Sequence, residues 1–208
     1  MKPIILVGGG GHCKSLIDVA ESSGYKILGI LDRPEKVGQK VLGYSIIGVD
    51  DNAAQYVNEA DFVVTVGQVK SPDIRQRLHQ IIEKAGGHLA TIIAPTAHVS
   101  KHATIGEGTV VMHQAVVNAS AKIGKACIVN TFSNIEHDVE IGDYCHISTG
   151  SMVNGMAKIG NGVFVGSQSV VNQCVNVCDC AVIASGSVVN KDITEPGLYA
   201  GNPAKFKK

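Results

Sequence analysis

His137 and His146 lie nine residues apart in the stretch 129–148, VNTFSNIEHDVEIGDYCHIS, with Glu136, Asp138 and Glu140 around the first of them. A histidine titrates near neutral pH, so it can take the proton that an amine or hydroxyl loses as it attacks an acyl group. A carboxylate beside the ring holds one tautomer and favours the imidazolium that forms. Acyl transfer asks for little else beyond a donor to the developing oxyanion. His137 has an acid on each side, and the sequence leaves open whether Glu136 or Asp138 bonds the ring. His98 and His102 have H-x3-H spacing but lie outside any helical pattern, and read as surface residues. His113 belongs to another face of the fold, and His79 and His88 read as helix and linker positions. A three-histidine zinc centre on this fold uses a histidine pair five residues apart, and the sequence has no such pair. Six cysteines raise the question of a disulfide or zinc site. Cys127 and Cys145 fall in a column of small interior residues, and Cys174, Cys178 and Cys180 fall on different corners, so reduced thiols and no metal are expected.

What positions the histidines is a period of six. From Ile93 to Val189, 17 consecutive positions spaced six apart are all Ile or Val, and the position two residues before each, from Ala97 to Ser187, is small. This is the mark of a hexapeptide β-helix, in which each hexad gives one short strand and one corner. Stiff β-branched residues fill the interior, and the small residues leave room beside the corners. Gly106, Gly124, Gly142 and Gly160 recur every 18 residues, as do Asn118, Asn154, Asn172 and Asn190, so three hexads make a coil and the cross-section is triangular. Both columns are expected to supply the positive φ of tight corners. Glu136 interrupts the Asn column beside His137, and a break in a local rule is where function is worth seeking.

Residues 1 to about 90 follow another pattern. PIILVGGGG reads as a strand entering a glycine loop, HCKSLIDVAESSG as a helix, and YKILGILD as a strand ending at Asp32. ADFVVTVG is a third strand, ending at Gly67, and a helix capped by Ser71 carries Ile74, Leu78, Ile81 and Ile82 on its expected inner face. Strands alternating with helices imply a parallel sheet. Gly8 and Gly10 match two glycines of a dinucleotide fingerprint whose third position is Cys13, and Asp32 stands where a ribose-binding acid is expected. At half the size of a dinucleotide fold, this domain suits one nucleotide at the edge formed by Gly8–His12, Asp32 and Gly67.

The composition narrows the field further. At 208 residues the chain suits one or two domains, and its zero net charge gives no electrostatic case for nucleic acid or an anionic membrane. No apolar stretch reaches the length of a membrane span, and the N-terminal apolar run reads as a strand rather than a signal peptide. Together with reduced cysteines, this leads us to expect a cytoplasmic protein.

The segments VGGGGHCKSLIDV, GILD, VTVG, NTFSNIEHDVEIGDYCHISTGS, IGNGVFVGSQSVV and GLYAGNPAKF together resemble the NeuD/PglD-like sugar acetyltransferases, across essentially the whole chain. That group includes bacillosamine-pathway amino-sugar N-acetyltransferases and sialic acid O-acetyltransferases. The resemblance implies an α/β half-Rossmann-like nucleotide-sugar domain over 1–90 and an all-β left-handed parallel β-helix over 91–208. It also implies a homotrimer with active sites between neighbouring prisms, acetyl-CoA as cosubstrate and a UDP-linked amino sugar as acceptor. His137 matches the general base, and Asp138 matches an adjacent acid that is Glu in the relatives compared. His146 matches a residue at the thioester end of acetyl-CoA, and Ser167 and Ser185 match backbone contacts to coenzyme A. Gly10, Gly11 and His12 match the nucleotide-sugar loop, Asp32 and its neighbour Arg33 the uridine side, and Gly67 a nearby backbone contact. Gly10 replaces a Ser and Arg33 an acid of those relatives. The alternatives are O-acetylation of a sugar hydroxyl and a non-catalytic nucleotide-sugar-binding trimer.

Overall fold

Strands buried on both faces read as unbroken apolar runs, and IILV, the strand β1 (Ile4–Val7), is fully buried at the centre of a five-stranded sheet. The computed structural model describes residues 2–207 and falls into two compact units. The first holds the chain up to Gly67 together with Asp73–Ala94, and the second holds Gln68–Pro72 together with the chain from Pro95 onward.

In the first unit β1 leads through a glycine loop into α1 (Gly11–Ser22), then β2 (Ile27–Asp32), β3 (Lys40–Val41), β4 (Tyr44–Val49), β5 (Asp61–Val64) and α2 (Asp73–Lys84). The sheet order is β3-β4-β2-β1-β5, parallel except for the β3–β4 hairpin. That hairpin is absent from the sequence reading. The expected inner face of α2 is also corrected. Arg75, Leu78, His79 and Ile82 are buried, whereas Ile74 is 58% exposed and Ile81 only partly covered. Periodicity assigned the inner face to the isoleucines, but the helix is rotated so that polar Arg75 and His79 turn inward instead.

The second unit is a parallel β-helix of two-residue strands. One face stacks Val110–Val111, Ile128–Val129, His146–Ile147, Phe164–Val165 and Val182–Ile183. The second face runs from His98–Val99 through Asn134–Ile135 to Val188–Val189, and the third from Thr104–Ile105 through Glu140–Ile141 to Asn176–Val177. Every partner is 18 residues away, as in Ile123↔Ile141 and Val117↔Ile135. The Ile/Val and small columns form one continuous buried core. Each fully buried Val or Ile side chain contributes about 1.5–3 kcal/mol of apolar burial. The column's first position, Ile93, lies in the first unit and is 39% exposed.

The corners depart from expectation. Positive φ falls not on the glycine and asparagine columns but two residues later, at Gly108, Gln114, Ser120, Ala126, Phe132, Asp138 and their successors. The glycine column exists for another reason. A Cβ on Gly106 would lie 2.5 Å from the carbonyl carbon of Gly124, and one on Gly142 would lie 2.9 Å from that of Gly160. Coils stack too closely at this corner for any side chain. The thiols of Cys127 and Cys145 are buried and donate to the carbonyls of Gly142 (3.1 Å) and Gly160 (2.9 Å).

His79 adds a pH dependence. Burial, with the Arg75 charge, holds its pKa down at about 3 instead of 6.5, so the folded protein keeps the ring neutral. Unfolded chain takes up a proton below 6.5, so this contribution to stability is full above 6.5 and is lost as pH falls toward about 3. The melting temperature should fall across that window. In His79→Gln the slope should be shallower, whatever the variant's absolute stability, as read by scanning calorimetry.

Candidate active site

The corner between Asn134–Ile135 and Glu140–Ile141 carries His137 and Asp138. Its backbone is pinned on both sides, because Asp138 N–H donates to Ala119 O (3.1 Å) and Met156 N–H donates to His137 O (3.0 Å). Asp138 takes φ 60°, a conformation that Asp tolerates better than most residues. This turn swings its carboxylate back to the ring, and His137 Nδ1 lies 2.9 Å from Asp138 Oδ2. Glu136 points elsewhere, accepting from Asn118 Nδ2 (3.1 Å) and Asn134 Nδ2 (2.9 Å). The acid that bonds the ring is therefore Asp138. With Nδ1–H donating to it, Nε2 keeps its lone pair, and Nε2 has no hydrogen-bond partner among the described residues. One coil on, Gly155 makes room for the ring: a Cβ there would lie 2.8 Å from both Cε1 and Nε2 of His137.

His146 has a different setting. It is 8% exposed on the outer side of its strand, edge-on to Phe164 at 5.3 Å between ring centroids. Nδ1 donates to Gln68 O (2.8 Å), and Nε2 accepts from Asn130 Nδ2 (3.1 Å). Asn130 Oδ1 accepts in turn from Thr131 N–H (2.8 Å). Both ring nitrogens are thus engaged, and what this histidine offers a ligand is a fixed surface. Asn130 and Gln68 were not singled out from sequence, and neither carries a spacing that would have marked it.

Ser167 and Ser185 stack one coil apart on the corner between the first and second faces. Ser167 Oγ pairs with Ser148 Oγ (2.9 Å), and Ser185 is exposed. Within one chain, then, the serines and His137 occupy opposite edges of the second face. That face is the apolar one: Met152 is 48% exposed on it, and Phe132 (61%) and Met156 (51%) flank it. The third face instead bears Lys122, Glu140 and Lys158, linked at 3.8 and 3.9 Å.

In the first unit the glycine loop, Asp32 and Gly67 meet at the carboxyl ends of β1, β2 and β5. Gly8 has φ +106°, and a Cβ on it would strike Val66. Gly10 and Gly11 are open, and Gly67 lies against His12, to which a Cβ would approach at 3.9 Å. Asp32 is 7% exposed and accepts from Gly9 N–H (2.8 Å), Arg33 N–H (2.8 Å) and Lys36 Nζ (3.1 Å). These donors hold its carboxyl below the usual range against the opposing effect of burial. Asp32 is therefore the clamp of the loop. A cavity of about 310 Å³ beside it is lined by Gly8–Gly10, Lys36, Asp50 and Arg77, of which the last three escaped the sequence reading. Among the described residues no cluster of three His, Cys, Asp or Glu could hold a metal ion, and no helix is long and apolar enough to cross a membrane.

A hexapeptide prism joined to a small nucleotide fold defines an acyltransferase of the hexapeptide class, and the left-handed coil is that of this class. The PglD N-terminal domain family matches residues 3–82, and the bacterial transferase hexapeptide (six repeats) family matches 120–155. The acetyltransferase domain of PglB from Neisseria gonorrhoeae is 30% identical, with all of both chains covered and a TM-score of 0.92. It has also been solved with acetyl coenzyme A. A His-to-Asn mutant of perosamine N-acetyltransferase from Caulobacter crescentus, in complex with CoA and GDP-perosamine, is 28% identical over 100% of this chain and 98% of that one, with a TM-score of 0.92. An uncharacterized protein of Acanthamoeba polyphaga mimivirus is 35% identical over 110 residues, and the match spans 21% of its length. The chain belongs to the NeuD/PglD-like sugar acetyltransferase family.

Gly155→Ala tests the local geometry directly. The added methyl meets only the end of a side chain, so the melting temperature should change little while the ring is displaced. A crystal structure of the variant should show the His137–Asp138 contact broken. An unmoved ring would refute the packing argument.

Proposed function

We propose that this chain is an acetyl-CoA-dependent N-acetyltransferase that acetylates the amine of a UDP-linked amino sugar, for a surface glycan or a glycoprotein sugar. The observation that carries the reading is the His137–Asp138 pair, with Nε2 unpartnered and exposed over Gly155. The amine attacks the thioester carbonyl, a C–N bond forms, and Nε2 takes the proton the nitrogen loses. Asp138 holds Nδ1–H and favours the imidazolium. The tetrahedral adduct then expels coenzyme A as the thiolate, which can recover the proton from the imidazolium. The glycine loop at the start of α1 is suited to the diphosphate, because backbone N–H groups at a helix N-terminus favour anions. Ser167 and Ser185 line the coenzyme A path, with His146 as a wall near the acetyl end.

The separation of the serines from His137 supports a homotrimer. A neighbouring prism packed on the apolar second face would bring its serine edge to the His137 edge of the first. The cytoplasm is the compartment that supplies acetyl-CoA and nucleotide sugars, which agrees with reduced thiols. A GDP-linked amino sugar is the second reading, favoured by the perosamine enzyme solved with GDP-perosamine.

Removing a general base typically lowers the rate about 10²–10⁴-fold. His137→Ala should lower kcat within that range and leave affinity for acetyl-CoA and the nucleotide sugar nearly unchanged, since proton abstraction belongs to the transition state. Asp138→Ala should lower kcat less, because the base remains. Thiol release with mass spectrometry of the product measures both, and wild-type turnover in His137→Ala would sink the assignment. Light scattering should give three times the 21.7 kDa chain mass. A single-chain mass would remove the composite site.

A further inference from the structure

Asp50 follows the last residue of β4, and Arg77 stands on α2, with Arg77 Nη2 3.5 Å from Asp50 Oδ2. The two residues sit where two cavities meet. One, of about 310 Å³, opens on the glycine loop, and the other, of about 250 Å³, lies toward Pro34 and Asp51. Asp50's side chain is only 17% exposed, and its Oδ1 has no donor among the described residues. Asp32, by contrast, already accepts from Gly9, Arg33 and Lys36. The acid that sequence position marks for the nucleoside is thus committed to the loop, while an acid that it does not mark has capacity to spare. Burial and the charges of Asp32 and Asp51 raise the Asp50 carboxyl above its usual range, and Arg77 opposes them. A buried carboxylate short of donors is held at a cost that a ligand N–H would relieve.

We infer that Asp50 and Arg77 form the base-reading pair of the nucleotide site, and that they select a nucleobase with an N–H beside a carbonyl. This rests on the nucleotide-sugar reading above and deepens it. Arg77 donates to the carbonyl oxygen, and Asp50 accepts from the adjacent N–H. Uracil presents O4 with N3–H, and guanine presents O6 with N1–H and an amine. Cytosine and adenine place a ring-nitrogen lone pair opposite the carboxylate, which repels it and leaves both groups unsatisfied. Val66, Ile74 and Leu78 line the larger cavity and offer the base an apolar surface, which gives a use to the exposed Ile74. The pair thus admits UDP- or GDP-linked sugars and refuses CMP-linked ones.

Calorimetric titration of the full chain with UDP, GDP, CDP and ADP tests the inference. All four share the diphosphate, so the loop's contribution cancels in their ratios. The better of UDP and GDP should bind about 10-fold or more tightly than CDP and ADP, and which of the two wins names the base. Asp50→Asn presents an amide that can donate to cytosine N3 and accept from its amine, so the preference over CDP should shrink by about 10-fold or more. Arg77→Ala should weaken UDP and GDP more than CDP. Equal binding of all four, or an unchanged ratio in Asp50→Asn, would overturn the pair's role. Failure of the wild-type chain to bind any of the four would overturn the nucleotide reading itself, which is a different result from lost discrimination.

Discussion

In the prism each backbone N–H reaches across to the carbonyl 17 residues further on, as Gly124 N does to Ile141 O at 2.8 Å and Asn134 N to Ser151 O at 2.9 Å. This ladder makes a residue's place in the 18-residue coil equivalent to its place in space. Ile and Val must return every six residues because each coil presents three inner positions to one axis. The corner at Gly106, Gly124, Gly142 and Gly160 must lack side chains because stacked coils there approach within 3 Å of any Cβ. An insertion of one residue in a coil would move every later side chain off its column, since strand pairing of period two tolerates no slip. The same ladder places Gly155 over His137, 18 residues earlier, so the cleft that the ring occupies follows from register rather than from a loop that could relax.

The first unit depends on a smaller clamp of the same kind. Gly8 turns with a φ only glycine adopts readily, and Gly9 N–H is held by Asp32. A Cβ on Gly9 would lie 2.9 Å from that carboxylate, so glycine here is required by the clamp and not by the turn. Lys36 completes the neutralisation of Asp32, which leaves the loop's outward N–H groups and Arg33 as the open polar surface. A carboxylate that braces a phosphate-type loop from behind does not also face its ligand. This is why the acid at the end of β2 and the acid at the end of β4 divide the work.

The prism was legible in the sequence because its signal repeats: 17 concordant positions leave no competing period. What a column was for was less legible. The glycine column and the positive-φ column are two residues apart in every hexad, and composition alone cannot separate a residue chosen for its φ from one chosen for its missing Cβ. Phe132, Tyr144 and Met156 take positive φ although nothing in their chemistry announces it, because the ladder on either side imposes it. Single events were harder still. The strand β4 is short and half-exposed, so Asp50 had no periodic neighbours to mark it. The rotation of α2 was hidden because Arg75 and His79 are polar residues on the buried side, where pattern reading puts apolar ones.

The choice between the two histidines of the opening stretch turns on the same difference between pattern and partner. A general base needs an unpaired ring nitrogen that a substrate proton can reach. His146 lies on a strand, where its outward position is covered, and the Gln68 carbonyl and the Asn130 amide take its two nitrogens. His137 lies on a corner, where the backbone turns away from it, and the residue that makes that turn, Asp138, also supplies the carboxylate. A glutamate at 138 would have to bend a longer side chain back to the same nitrogen. Asp closes the distance at 2.9 Å with the turn already paid for by the ladder. The positive-φ corner is therefore the device that joins scaffold to chemistry: it fixes one ring nitrogen and leaves the other in solvent over a glycine, which is the arrangement proton transfer from an attacking amine requires.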